Sequence, residues 1–284
     1  MHNISVEDLI LHDDRRGISI LKPYMPVNYC RKAAISIVNN PGTVFIITGF
    51  YIANSKCPET DGPPGAIAIA RALIMLGYKV YLVTDKYSFN LLHQLYDANK
   101  VINFPLTDNI ESKAFAQNLI KKYNPSLIIS IERCGLNADG VYLNMNGIDI
   151  SNYNAKIDYL FQHHPNTIGI GDGGNEIGMG NYANIISNAG GGLPKRPCIT
   201  KTTHTIISSV SNWGGYGLVV ELSKLVKRNL LITADEEAQI IQKAIKLGAV
   251  DGITQKHEPR VDGFSLFENT KLLSKLQQLM VGNT

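Results

Sequence analysis

The sequence predicts an α/β fold: a doubly wound, mostly parallel sheet with helices on both faces and a helical C-terminal third. Three observations predict it. Short β-branched apolar runs alternate with helix-length segments. Those runs are apolar throughout rather than at every second residue, as strands covered on both faces require. After Gly192 the pattern becomes mostly helical.

Taken in order, Tyr29 to Val38 reads as a helix within an N-terminal stretch, to about Asn40, that packs as an extension on a single domain spanning 1–284. Thr43 to Phe50 is the first strand, broken near its end by Gly49. Gly62 to Gly77 is a helix with Pro-Pro at its start, an alanine-rich body and a closing glycine. The unit then recurs, with Lys79 to Thr84 as strand, Ser88 to Ala98 as a helix capped by Ser88, Val101 to Phe104 as strand and Ser112 to Tyr123 as helix. Leu127 to Ile131 and Thr167 to Ile170 complete the buried strands, with one more near Thr205 to Ser208. Tyr216 to Lys227, Asp235 to Leu247 and Ser265 to Met280 are the C-terminal helices. They carry more apolar surface than one sheet can cover, which predicts a homo-oligomer.

Composition narrows the function. The net charge is +3 with lysine and arginine scattered, so no basic stripe is available to track nucleic acid. The longest apolar runs fall far short of the roughly 20 residues of a membrane helix. The start at Met1-His2-Asn3 lacks a secretory or transit pattern. Four separated cysteines without a CxxC pair indicate neither zinc nor a disulfide framework, and a reduced cytoplasm fits best.

In an open parallel sheet, ligands bind beyond the carboxyl ends of the strands. Glu59, Asp61, Asp85, Glu132, Asp172 and Glu176 all fall at such ends, so six acidic residues are expected on one rim. Like charges gathered there need a cation, and oxygen donors suit Mg²⁺ or Mn²⁺. Five glycines between Gly171 and Gly180 read as a ligand loop, with backbone N–H groups left free for an anion. Blander readings stand beside these. Asp61 and Asp172 also read as turn or cap residues, Glu132-Arg133 as an internal ion pair, and Asp85 as the cap of the next helix. His163-His164 reads as a helix end, Tyr142 and Met145 as core, and Trp213-Gly214-Gly215 as either a close-packed helix entrance or a pocket wall. No dinucleotide, Walker or nucleophile-elbow motif is present.

Four segments carry a resemblance: ETDGPPGA from Glu59, GIGDGGNEIGMG from Gly169, VSNWGGY from Val210, and VDG at both Val250 and Val261. Together they resemble the D-glutamate cyclase family, specifically its C-terminal catalytic-type domain, over roughly Gly42 to Leu279. The resemblance implies an α/β lyase converting D-glutamate to 5-oxo-D-proline and water. On that reading Asp61, Asp172 and Glu176 hold a divalent metal that polarises the side-chain carboxylate. Glu132 is the general base, with Asp85 the next candidate, and Arg133 grips a substrate carboxylate. Gly173, Gly174, Asn175, Asn212 and Trp213 complete the substrate site. A Mn²⁺- or Mg²⁺-dependent phosphatase and a non-enzymatic metabolite- or metal-binding module remain the alternatives.

Overall fold

The computed structural model of the chain describes residues 4–281, so Met1-His2-Asn3 lies outside the described residues. Two helices, α1 (Val6–Ile10) and α2 (Tyr29–Asn39), precede the first strand, β1 (Thr43–Ile47). A hairpin of β2 (Tyr51–Ile52) and β3 (Cys57–Pro58) leads into α3 (Pro63–Met75). There follow β4 (Lys79–Asp85), α4 (Lys86–Leu95), β5 (Val101–Phe104), α5 (Asn109–Tyr123), β6 (Pro125–Ile131) and β7 (Thr167–Gly171). The remainder is α6 (Ala183–Ala189), β8 (His204–Ile207), α7 (Ser211–Val226), α8 (Ala234–Lys246), the hairpin β9 (Arg260–Val261) and β10 (Phe264–Ser265), and α9 (Leu266–Val281).

Six strands form one sheet in the order β5-β4-β1-β6-β7-β8, every neighbouring pair parallel. The chain runs outward from β1 to β5, then returns to β6 beside β1 and runs outward the other way. The crevice at this reversal is where an open α/β sheet takes its ligand. Both faces are covered as the apolar runs require. Along β1, Val44 and Ile46 enter a core shared with α1, α2, α3, α7 and α9, while Phe45 and Ile47 enter a second core under α5. Among the described residues no helix is long and apolar enough to cross a membrane.

Several boundaries differ from expectation for physical reasons. The helix after β4 is capped by Asp85, whose Oδ1 accepts from the Tyr87 amide at 3.0 Å, and not by Ser88, which is buried inside its first turns. The first of the C-terminal helices, α7, begins at Ser211 rather than Tyr216, because its glycines serve close approach. A Cβ at Gly214 would stand 2.7 Å from Ile170, and one at Gly65 of α3 would meet Asn212 at 3.0 Å. Trp213-Gly214-Gly215 is thus a close-packed entrance. The glycine-rich loop after β7 does not open a helix directly. It folds back so that Gly178 lies on Gly169, with no room for a Cβ at either, and reaches α6 through a 3-10 turn.

Helix α8 buries Glu237 with no hydrogen-bond partner; the Tyr216 hydroxyl of α7 faces it short of bonding geometry. Burial pushes its carboxyl from 4.5 up to about 8. The folded chain therefore keeps a proton that the unfolded chain releases. Stability from this protonated group is complete below pH 4.5 and is lost as pH rises toward 8, an effect on the order of a few kcal/mol by proton linkage. Glu237→Gln is expected to flatten that slope in chemical denaturation across the window. An unchanged slope in the variant would assign the dependence to another group.

Candidate active site

The site assembles at the carboxyl ends of the strands on both sides of the reversal. Asp61, just ahead of α3, reaches across to the start of α7. Its Oδ2 accepts from the Ser211 amide at 2.8 Å and its Oδ1 from the Asn212 amide at 2.8 Å and the Gly62 amide at 2.9 Å. This carboxylate thus caps a helix from a different segment, where the N-terminal dipole favours negative charge. Asn212 answers it. Its Oδ1 accepts from the Gly62 amide at 3.0 Å and the Gly65 amide at 2.8 Å, and its Nδ2 donates to the Thr60 carbonyl at 3.2 Å. Asn212 is fully buried and staples α3 to α7 rather than reaching a ligand.

After β6, Glu132 takes a φ of 45°, a left-handed conformation rare for a non-glycine side chain. It and Arg133 enter different surroundings. Glu132 faces the crevice and accepts from the Ser211 hydroxyl at 2.6 Å. Arg133 is buried on the other side, donating to Asp85 Oδ2 at 2.5 Å, the Gly49 carbonyl at 2.9 Å and the Ala155 carbonyl at 3.1 Å. The internal ion pair expected of Glu132-Arg133 thus forms instead between Arg133 and Asp85. Neither points at the crevice, because each is held by the other and by backbone groups.

After β7, Asp172 is fully buried with its Oδ2 unpartnered. Glu176 folds back under the loop and accepts from the Gly173 amide at 2.8 Å and the Gly174 amide at 2.8 Å. Those N–H groups are occupied from within the loop, contrary to the expectation that they stay free for an anion. Asn175 lines the crevice, its Nδ2 donating to the Leu143 carbonyl at 3.2 Å. Trp213 does not line it. Its ring packs on Phe264 and its Nε1 donates to Asn269 at 2.8 Å, beside a separate cavity. Met145 lines the crevice instead of the core, while Tyr142 is buried as expected. His164 sits between the backbone carbonyls of Asn166 and Pro125, both at 3.0 Å.

Two residues of the site were not singled out from the sequence. Arg16, in the N-terminal stretch, places its guanidinium 2.5 Å from Asp172 Oδ1 and 2.7 Å from Asp262 Oδ1. Burial opposes its charge, but Asp172 and Asp262 outweigh that and hold it above the ordinary arginine range. Asp262 comes from the turn between β9 and β10, where Asp262 and Gly263 have φ of 50° and 77°. An Asp-Gly pair of this kind is a hairpin signal, and it lies within the second VDG segment. For Arg16 no local signal exists, since its partner Asp172 is 156 residues away.

The result is a cavity of about 340 Å³ whose polar wall includes Arg16, Glu59, Glu132 and Asn175. Burial, then the neighbouring carboxylates, raise Glu59 and Glu132 above the usual carboxylate range. Burial also raises Asp61 and Asp172, against the backbone amides at the first and Arg16 at the second. Carboxylate oxygens converge in two groups that share Asp172: Asp61, Asp172 and Asp262, and Glu132, Asp172 and Glu176, each within 4.8 Å. The three expected ligands thus fall into different groups, with only Asp172 common to both.

A mitochondrial D-glutamate cyclase from Homo sapiens is 31% identical over 234 residues, covering 75% of this chain. The chain spans 37% of that relative's length. A solved exopolyphosphatase-related protein from Bacteroides fragilis overlaps 89% of this chain and 57% of its own at 10% identity and a TM-score of 0.43, a likeness too low to carry an argument. Residues 6–277 match the family model described as D-glutamate cyclase-like, C-terminal. The chain, which carries its carboxylate cluster within the matched region, belongs to the D-glutamate cyclase-like family through that C-terminal domain.

Proposed function

We propose that the cavity binds D-glutamate and closes it to 5-oxo-D-proline with release of water. The observation that carries this reading is one wall holding both Arg16 and Glu59, whose buried Oε1 has no partner. An arginine suits a substrate carboxylate, and an unpaired carboxylate suits an ammonium proton. About 340 Å³ is at the small end of ligand cavities and accommodates an amino acid.

Ring closure forms a bond from the amine nitrogen to the side-chain carbonyl carbon and breaks one carbon–oxygen bond. Two protons leave the ammonium nitrogen and two join the departing oxygen, so the site must accept protons and return them. Glu59 is our proton acceptor, since it lines the cavity and its buried Oε1 has no hydrogen-bond partner. This replaces Asp85, which is held by Arg133, as the candidate next to Glu132. Arg16, which uses only part of its donor fork on Asp172 and Asp262, grips a substrate carboxylate in the place foreseen for Arg133. Asn175, on the same polar wall, orients the substrate. The oxygen-only donor set and the orphaned Asp172 Oδ2 fit a Mn²⁺ or Mg²⁺ ion. When bound, such an ion acts as a Lewis acid on the side-chain carboxylate.

A phosphatase has less support, because the Gly173 and Gly174 amides that would cradle phosphate are taken by Glu176. The test is a parallel assay of the Mn²⁺-supplemented chain with D-glutamate and with a phosphomonoester. Mass spectrometry should show glutamate losing one water, with no phosphate released. Phosphate release without lactam would replace this reading by the phosphatase.

A further inference from the structure

The carboxylates around the cavity differ in how their charge is met. Asp61 lies on three backbone amides at the start of α7. Asp262 and one oxygen of Asp172 lie on Arg16. In the first convergent group, Asp61, Asp172 and Asp262, every member therefore already faces positive charge supplied by the protein, Asp262 through charge contact alone, since neither of its oxygens makes a hydrogen bond. In the second, Glu176 has the amides of Gly173 and Gly174, and Glu132 has one hydroxyl. Asp172, common to both groups, keeps its Oδ2 in a fully buried side chain without any partner. An ionised carboxylate left so is costly unless a cation sits against it.

We propose that this chain holds one divalent cation, at Glu132, Asp172 and Glu176, and that the Arg16 guanidinium occupies the place of a second. The cation is a hard one, since the donors are all oxygen. Arg16 thereby fixes the ion count, leaving the charge of the site unsuited to two ions while its fork lies on Asp172 and Asp262. Glu132 is then an ion ligand, and Glu59 is left as the proton acceptor. The inference rests on the cavity being the active site, but ion counting without substrate tests it independently of the reaction.

The experiment is equilibrium dialysis of the purified chain against Mn²⁺, with bound metal counted by atomic emission. Wild type should bind one ion per chain and Arg16→Met two, with Arg16→Lys remaining at one. Zero or two ions on wild type, or no second ion on Arg16→Met, would overturn the proposal. Should Arg16→Met fail to fold, substitutions in the otherwise native chain carry the test. Glu132→Gln should lose the ion and Asp262→Asn should keep it, and the reverse pattern would place the ion in the first group. Lactam formation by a chain that binds no metal would leave the cyclase reading intact and remove this one. A single bound ion without turnover would do the opposite.

Discussion

Glu59→Gln is expected to lower turnover of D-glutamate by a factor on the order of 10² to 10⁴ while leaving bound Mn²⁺ unchanged. The amide keeps the size of the side chain but cannot take a proton from the substrate ammonium. Because the buried Oε1 has no hydrogen-bond partner in the fold, the amide breaks no hydrogen bond there. Circular dichroism and the melting temperature should therefore stay close to wild type. Steady-state kinetics decides the matter. If turnover holds within a few-fold, Glu59 is not the acceptor, and Glu132 regains that role.

Asp172→Asn should do more. Asp172 is common to both convergent groups and is a direct partner of Arg16, so the variant loses the ion and loosens the arginine together. Losing Lewis-acid assistance of several kcal/mol corresponds to roughly a 10³-fold fall in rate or more. Bound metal should fall in parallel, and excess Mn²⁺ should not restore activity. Retention of both metal and turnover would remove Asp172 from the centre of the site.

Where chemistry follows from local sequence, the chain was legible. Runs such as Val44 to Ile47 could only be strands covered on both faces, and the sheet places them there. The two short hairpins were not foreseen, since two-residue strands leave no periodicity to read. Residue types at strand ends marked the rim where buried carboxylates gather, but not the duty of each side chain. Asp85 and Arg133 satisfy one another, a contact 48 residues apart that no spacing rule encodes. Glu176 and the amides of Gly173 and Gly174 show the contrary case. The acceptor stands two and three residues beyond its donors, so a local turn was available to be read in place of a free anion loop. Arg16 had no such trace. An N-terminal stretch read as packing alone carries a charge that completes the cluster.

One initial rate tests the proposed cyclisation most directly: release of 5-oxoproline by the wild-type chain in Mn²⁺, with D- and L-glutamate compared by chiral chromatography against an ion-only blank. We expect 5-oxo-D-proline to accumulate from D-glutamate well above the blank and in proportion to protein concentration, with L-glutamate much slower. Product from D-glutamate no faster than in the blank, by a chain shown to be folded and metal-loaded, would contradict it.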